Sequence, residues 1–258
     1  MKFLQHPDLC GIDPDSSEAS VVRSKIIHAK PSLKEIYQNW YADMAAALPV
    51  SISGPVLELG SGGGFLREYI PELLMSEVQP MPGVDLVADG QRLPFKKRTL
   101  RAIVMLDVLH HLPRARHFFA EARCCIKPGG KLVMVEPWVT PLSRLIYRHL
   151  HQEPFRPEPR GWHFPSGGPL SQANSALPWM IFQRDRKVFD NLFPDWQLQA
   201  VVLGKGLLYL LTGGVTYRSL LPEAILPVGR LVERFLQPWA ATWALFARIE
   251  LLRRSTTK

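Results

Sequence analysis

"VLELGSGGGFL", residues 56–66, sets an acid and four glycines between apolar residues. A short apolar run that breaks into glycines reads as a buried strand leaving its sheet through a tight turn, with Phe65 and Leu66 able to open a helix. Glycines let backbone N–H groups approach a ligand closely and tolerate positive φ, and a following helix adds unsatisfied donors at its N-terminus. The layout is that of a nucleotide-type site. A dinucleotide fingerprint needs a third glycine at position 65, where Phe65 stands instead; Gly60, Gly62 and Gly64 make a GxGxG preceded by Glu58. This spacing disfavours NAD, and without a Lys-Ser/Thr pair after the loop a P-loop is excluded.

The rest of the chain supports a doubly covered α/β sheet. "LLMSE" (73–77), "VDLV" (84–87), "AIVML" (102–106) and "KLVMVE" (131–136) are short apolar runs bounded by polar or turn residues. "RHFFAEARCCI" puts Phe118, Phe119, Ala122, Cys125 and Ile126 on one helical face and stops at "KPGG". Strands alternating with helices imply a parallel sheet whose ligands bind beyond the carboxyl ends of the strands. Glu58, Glu77, Asp89, Asp107 and Glu136 fall at or near such ends. Upstream, Asp15 with Glu18 and Ser32 with Glu35 are spaced as capping boxes, predicting two N-terminal helices. The second, over 33–48, carries Ile36, Tyr37, Trp40, Tyr41 and Met44 as a core stripe.

Past the sheet core the pattern changes. Residues 153–179 hold six prolines and "GWHFPSGG", which reads as a lid or binding loop. Residues 196–203 read as a strand, and "ALFARIELL" as another strand or an amphipathic helix. Between them lies an apolar insertion, 205–239.

The ordered series "VLELGSGGG", "ADGQRLPF", "LDVLHHL" and "RCCIKPGGKLVMVEP" resembles the class I S-adenosylmethionine-dependent methyltransferases, in particular their type 11 group, over about residues 55–137. The resemblance implies a Rossmann-like sheet with helices on both faces, an N-terminal helical cover (1–50), a cofactor-binding core (51–138), a helix and lid-like loop (139–195) and last strands carrying the apolar insertion (196–258), all in one domain. It implies S-adenosylmethionine as cofactor, with Glu58, Gly60, Gly62 and Gly64 under its amino-acid and ribose portion. The acid ending strand two, Glu77, would accept from the ribose hydroxyls, with Asp85 as competitor because the connection from Gly64 is short. Asp89, with Gly90 beside it, matches the position that accepts from the adenine amine. Arg101 stands where many relatives have an acid, at the start of a strand and away from the ligand.

Methyl transfer from a sulfonium is an in-line displacement, so alignment and desolvation carry much of it. His110, by family position, is the candidate base, and a histidine titrates in the useful range; Glu136, Tyr41, Tyr147, His151, Glu153 and His163 could cover an acceptor. The implied activity is methyl transfer to a small or lipid-like acceptor. A non-catalytic membrane or assembly protein keeping the fold, and an NAD-dependent oxidoreductase, are the alternatives.

Bulk properties narrow the partners. Cys10, Cys124 and Cys125 give neither a disulfide framework nor metal-ligand spacing, so no metal is expected and a reducing compartment fits. The first residues lack an apolar signal region, and "PWAATWALFA" is too short to span a bilayer, so a cytoplasmic protein is expected. The net charge of +8 raises nucleic acid or anionic membrane as partners. No interleaved basic and aromatic platform appears, so nucleic acid is not expected. From Lys205 onward eight Lys/Arg accompany three Glu in an apolar context. That mixture suits peripheral contact with an anionic membrane at its inner face, with Arg230 and Arg234 toward headgroups, unless the insertion is a helical layer packed on the sheet.

Overall fold

Seven strands make one sheet in the computed structural model, which describes residues 4–165, 167–168, 172–204 and 206–255, with the backbone alone at Leu226. Their order is β3-β2-β1-β4-β5-β7-β6. β1 (Val56–Leu59), β2 (Leu73–Glu77), β3 (Leu86–Val87), β4 (Leu100–Leu106) and β5 (Ile126–Pro137) run parallel. β7 (Phe246–Arg253) inserts antiparallel between β5 and β6 (Trp196–Gly204), which resolves "ALFARIELL" as a strand. Every residue of β1 is buried. That fits Val56, Leu57 and Leu59, because a central parallel strand meets protein on both faces, and it buries the Glu58 carboxyl with them.

α1 (Ser17–Ala29) and α2 (Pro31–Ala46) cover one face of the sheet, and α3 (Ala115–Cys125) covers the other. Both capping boxes move. Ser16, not Asp15, caps α1 by accepting from the Ala19 N–H at 3.2 Å. α2 starts at Pro31 with no side-chain cap, because Ser32 is turned to Glu223 of the insertion. Ile36, Trp40, Tyr41 and Met44 are buried as the core stripe required, whereas Tyr37 of the same stripe is only half-buried. The capping box that does form is at α4 (Pro141–His149), where Thr140 and Ser143 exchange side-chain and backbone hydrogen bonds.

After the glycine loop there is only one 3-10 turn, Leu66–Glu68, where a helix was expected; β2 follows directly. The connection is too short for an α-helical crossover, so no α-helix follows the loop directly. The insertion divides. Leu208 and Tyr209 pack toward α2 and β7, with Tyr209 against Trp40 and Phe246, whereas the Leu226–Leu236 helix leaves most of its apolar side chains in solvent. Among the described residues no helix is long and apolar enough to cross a membrane.

Candidate active site

A cavity of about 610 Å³ opens beyond the carboxyl ends of β1, β2 and β4, within the usual size of small-molecule sites. Its floor is the glycine loop. Gly60 (φ +71°) and Gly62 (φ +53°) adopt the left-handed backbone, and a Cβ on Gly60 would lie 2.6 Å from Val108. A Cβ on Gly64 would lie 2.4 Å from the Tyr41 hydroxyl. The loop is therefore bare because its neighbours leave no room, and its shape is fixed locally. The Ser61 N–H donates to the Ser76 carbonyl at 2.9 Å, the Ser76 N–H to Ser61 Oγ at 3.1 Å, and Ser76 Oγ to the Glu58 carbonyl at 2.7 Å.

Three acids face this floor. Glu58 is buried, lines the cavity, and has no hydrogen-bond partner for its Oε2. Burial pushes its carboxyl up to about 8, with the nearby Glu77 carboxylate adding to the rise and a hydrogen bond from Ser61 opposing it. Glu77 also lines the cavity; its Oε1 accepts from the Gly62 N–H at 2.5 Å and its Oε2 from the Val78 N–H at 3.2 Å. Burial raises Glu77 against those hydrogen bonds. Asp89 accepts from the Gln91 backbone N–H at 2.8 Å, and Gly90 lets the chain pass Leu59, 2.7 Å from where a Cβ would stand.

Asp85, the competitor of Glu77, is engaged elsewhere. It is ion-paired with Arg67 and accepts from the Met75 N–H at 2.8 Å, fastening the β2–β3 connection outside the cavity. Arg101 likewise stands clear of the site, paired with Glu72 and donating to the Pro49 carbonyl.

The opposite wall departs from the sequence reading. His110 is fully buried and does not line the cavity. Its Nδ1 lies 2.8 Å from Glu136 Oε2 and its Nε2 lies 3.1 Å from Glu153 Oε2, so neither ring nitrogen is open to an acceptor. Burial alone would lower it, but Asp107, Glu136 and Glu153 hold it well above the usual histidine range. His111 reaches the cavity instead. Burial and the neighbouring His110 push it down to about 4. Glu153, from the lid-like loop, joins it there and is held well below the usual carboxylate range, burial being outweighed by the surrounding histidines. Glu136 is buried and accepts from the Val108, Leu109 and His110 N–H groups at 2.9, 2.6 and 3.4 Å, so it builds the turn after β4.

Of the other expected covering residues, Tyr41 lines the cavity, while Tyr147 donates to the Leu245 carbonyl at 2.5 Å and His163 pairs in a bridge with Arg114. His151 packs against Tyr147, and its Nδ1 lies 3.9 Å from Glu153. Sequence reasoning gave no role to Asp107, whose φ of +63° turns the backbone at the end of β4, or to Arg23 on α1; both line the cavity. Asp107 is legible only as one of the acids at strand ends, in "LDVLHHL". Arg23 carries no sequence signal, because α1 alone brings it over the site.

A methyltransferase-domain family model matches residues 57–134, from β1 into β5. The matched stretch is a methyltransferase domain, and the sheet that carries it is Rossmann-like. Solved structures at low identity share the fold. A chain from a Haloferax volcanii complex of the methyltransferase activator Trm112 with a candidate methyltransferase is 13% identical, with a TM-score of 0.53 over 95% of this chain and 98% of that one. A Haemonchus contortus phosphoethanolamine N-methyltransferase, in complex with S-adenosyl-L-methionine, is 13% identical with a TM-score of 0.53 over 96% of this chain and 60% of that one. A candidate methyltransferase from Bacillus halodurans is 14% identical with a TM-score of 0.50 over 83% of this chain and 99% of that one. No curated protein matches the chain. The matched stretch contains the bare loop together with Glu58, Glu77 and Asp89.

Proposed function

We propose that the chain holds S-adenosylmethionine on the glycine loop and methylates a lipid-like acceptor presented at an anionic membrane surface. The orphaned Oε2 of Glu58 carries the cofactor half of this reading. A buried carboxylate oxygen without a partner is costly unless a ligand supplies a donor, and the ammonium of an adenosyl amino acid is such a donor. Glu77 then accepts from the ribose hydroxyls, Asp89 accepts from the adenine amine, and Gly60, Gly62 and Gly64 admit the ligand to van der Waals distance. Bound cofactor supplies an electrophilic methyl, so the chain's own work is alignment and exclusion of water, for which Tyr41, Glu153 and the lid-like loop flank the cavity. His110 stands behind this wall as a positioning residue for Glu153.

The acceptor half rests on the insertion. Val215 and Thr216 line the cavity, and the Leu226–Leu236 helix beyond them exposes Val228, Leu231 and Phe235, followed by Trp239. Phe235 is 73% and Leu231 68% exposed, which makes a contiguous apolar face of the kind that marks interaction surfaces. Arg234 belongs to the same helix, whereas Arg230 is tied to Glu35 at 2.5 Å and is withdrawn from the headgroup role expected of it. The net charge of +8 favours an anionic lipid as occupant.

Flotation with phosphatidylglycerol vesicles at low salt, in the presence of methyl-labelled cofactor, tests both halves. The protein should float with anionic but not zwitterionic vesicles, and label should enter the organic phase. Protein that ignores anionic vesicles, or label that stays aqueous while protein floats, would contradict the lipid reading.

A further inference from the structure

Two imidazoles and one carboxylate meet at the wall between the cavity and the turn after β4. The Nε2 of His110 lies 3.1 Å from Glu153 Oε2, and the Nε2 of His111 lies 3.7 Å from Glu153 Oε1. The ligand-capable atoms of His110, His111 and Glu153 all fall within 4.8 Å of one another. Nitrogen and oxygen ligands stand about 2.0–2.2 Å from a bound zinc, so ligands around one ion lie about 3–4 Å apart.

The far side of each ring is already built for this. His111 Nδ1 lies 3.2 Å from the Gln172 carbonyl, which can only accept, so the proton sits on Nδ1 and the neutral ring presents a lone pair at Nε2. His110 Nδ1 lies 2.8 Å from Glu136, whose carboxylate also accepts three backbone N–H groups and so acts as an acceptor toward the ring. Both rings therefore turn Nε2 toward Glu153. A carboxylate behind one metal-binding histidine and a carbonyl behind another is the outer arrangement that orients such ligands and fixes their tautomers.

We infer that His110, His111 and Glu153 form a site for a divalent transition-metal ion of the zinc or iron(II) class, with its remaining positions open to the cavity through His111 and Glu153. Two nitrogens and one carboxylate oxygen match the donor preference of that class rather than of calcium or magnesium. The sequence reading expected no metal because it looked to the cysteines, and the third ligand comes from the lid-like loop, 43 residues beyond His110. In that position the ion would take an oxygen group of the acceptor; this last step rests on the proposed methyl transfer, whereas the site itself does not.

The test uses the full chain, freed of metal by chelation and titrated with Zn²⁺ by calorimetry and with Co²⁺ by visible absorption, without cofactor or lipid. A single ion should bind with the spectrum of mixed nitrogen and oxygen ligation. Glu153→Gln and His111→Ala, each shown to be folded by circular dichroism, should lose most of that affinity, and Glu136→Gln should weaken it by about 10–100-fold. Failure of folded wild-type protein to bind, or binding unchanged in Glu153→Gln and His111→Ala, would overturn the inference. S-adenosylmethionine binding is measured separately on the same metal-free protein, so the methyltransferase reading stands or falls apart from this one.

Discussion

The cofactor side and the acceptor side of the cavity are held by different kinds of contact. On the cofactor side partners are close in sequence: Gly62 donates to Glu77 across 15 residues, and Asp89 accepts from Gln91 across two. On the acceptor side they are remote. Lys30 Nζ donates to the carbonyls of Thr212, Gly214 and Tyr217 at 3.0, 2.9 and 2.6 Å, across 182 to 187 residues, and Ser32 pairs with Glu223 across 191. A site made by one continuous segment keeps its meaning in the order of residues, whereas a site assembled from distant segments does not.

Breaking the remote contacts should cost the most. Burial lowers Lys30 to about 8, opposed by Glu223, and the ammonium serves three carbonyls, of which only that of Thr212 has a further side-chain donor among the described residues, Ser219 Oγ at 3.2 Å. Lys30→Met should destabilise the protein by about 3 kcal/mol in urea unfolding, since it strands buried carbonyls. A loss below about 1 kcal/mol would mean that the insertion is anchored by apolar packing alone.

The comparison sharpens at two neighbouring acids. Glu77→Ala should weaken S-adenosylmethionine by about tenfold, or about 1.4 kcal/mol, in calorimetry. Asp85→Asn should leave that affinity unchanged and cost about 1 kcal/mol of stability, because Asp85 only fastens the β2–β3 connection. The reverse pattern would move the ribose acceptor to Asp85. The smallest effect is expected at the exposed helix: Leu231→Glu should shift stability by no more than about 0.5 kcal/mol while reducing vesicle flotation.

The same contrast explains what could be read in advance. The strands, the glycine loop and the places of Glu58, Glu77 and Asp89 at the cavity follow from local runs and spacing. Sequence position put His110 beside the reacting centre, but nothing in "LDVLHHL" tells which histidine turns inward; the Glu136 and Glu153 carboxylates decide that, and both lie beyond the motif. Ser32 looked like a cap because its spacing to Glu35 was right, and Glu223 took it from 191 residues away. The helix expected after Phe65 failed for want of chain length, since β2 begins at Leu73.

Glu58 offers the most direct test of the central claim, because one side chain links the pH dependence of stability to ligand binding. Its raised value means that the folded protein keeps this proton while the unfolded chain releases it near 4.5, so its stabilising effect is complete below that pH and is lost as pH rises toward about 8. Glu58→Gln cannot ionise and should abolish that decline. The decisive measurement is calorimetric titration of wild type and Glu58→Gln at pH 8 with S-adenosylmethionine, S-adenosylhomocysteine and NAD, alongside urea unfolding of each free protein. Wild type should bind the adenosyl pair and not NAD, and Glu58→Gln should be more stable when free yet bind the pair at least about tenfold more weakly. Folded wild type that binds neither adenosyl compound, or that selects NAD, would contradict it.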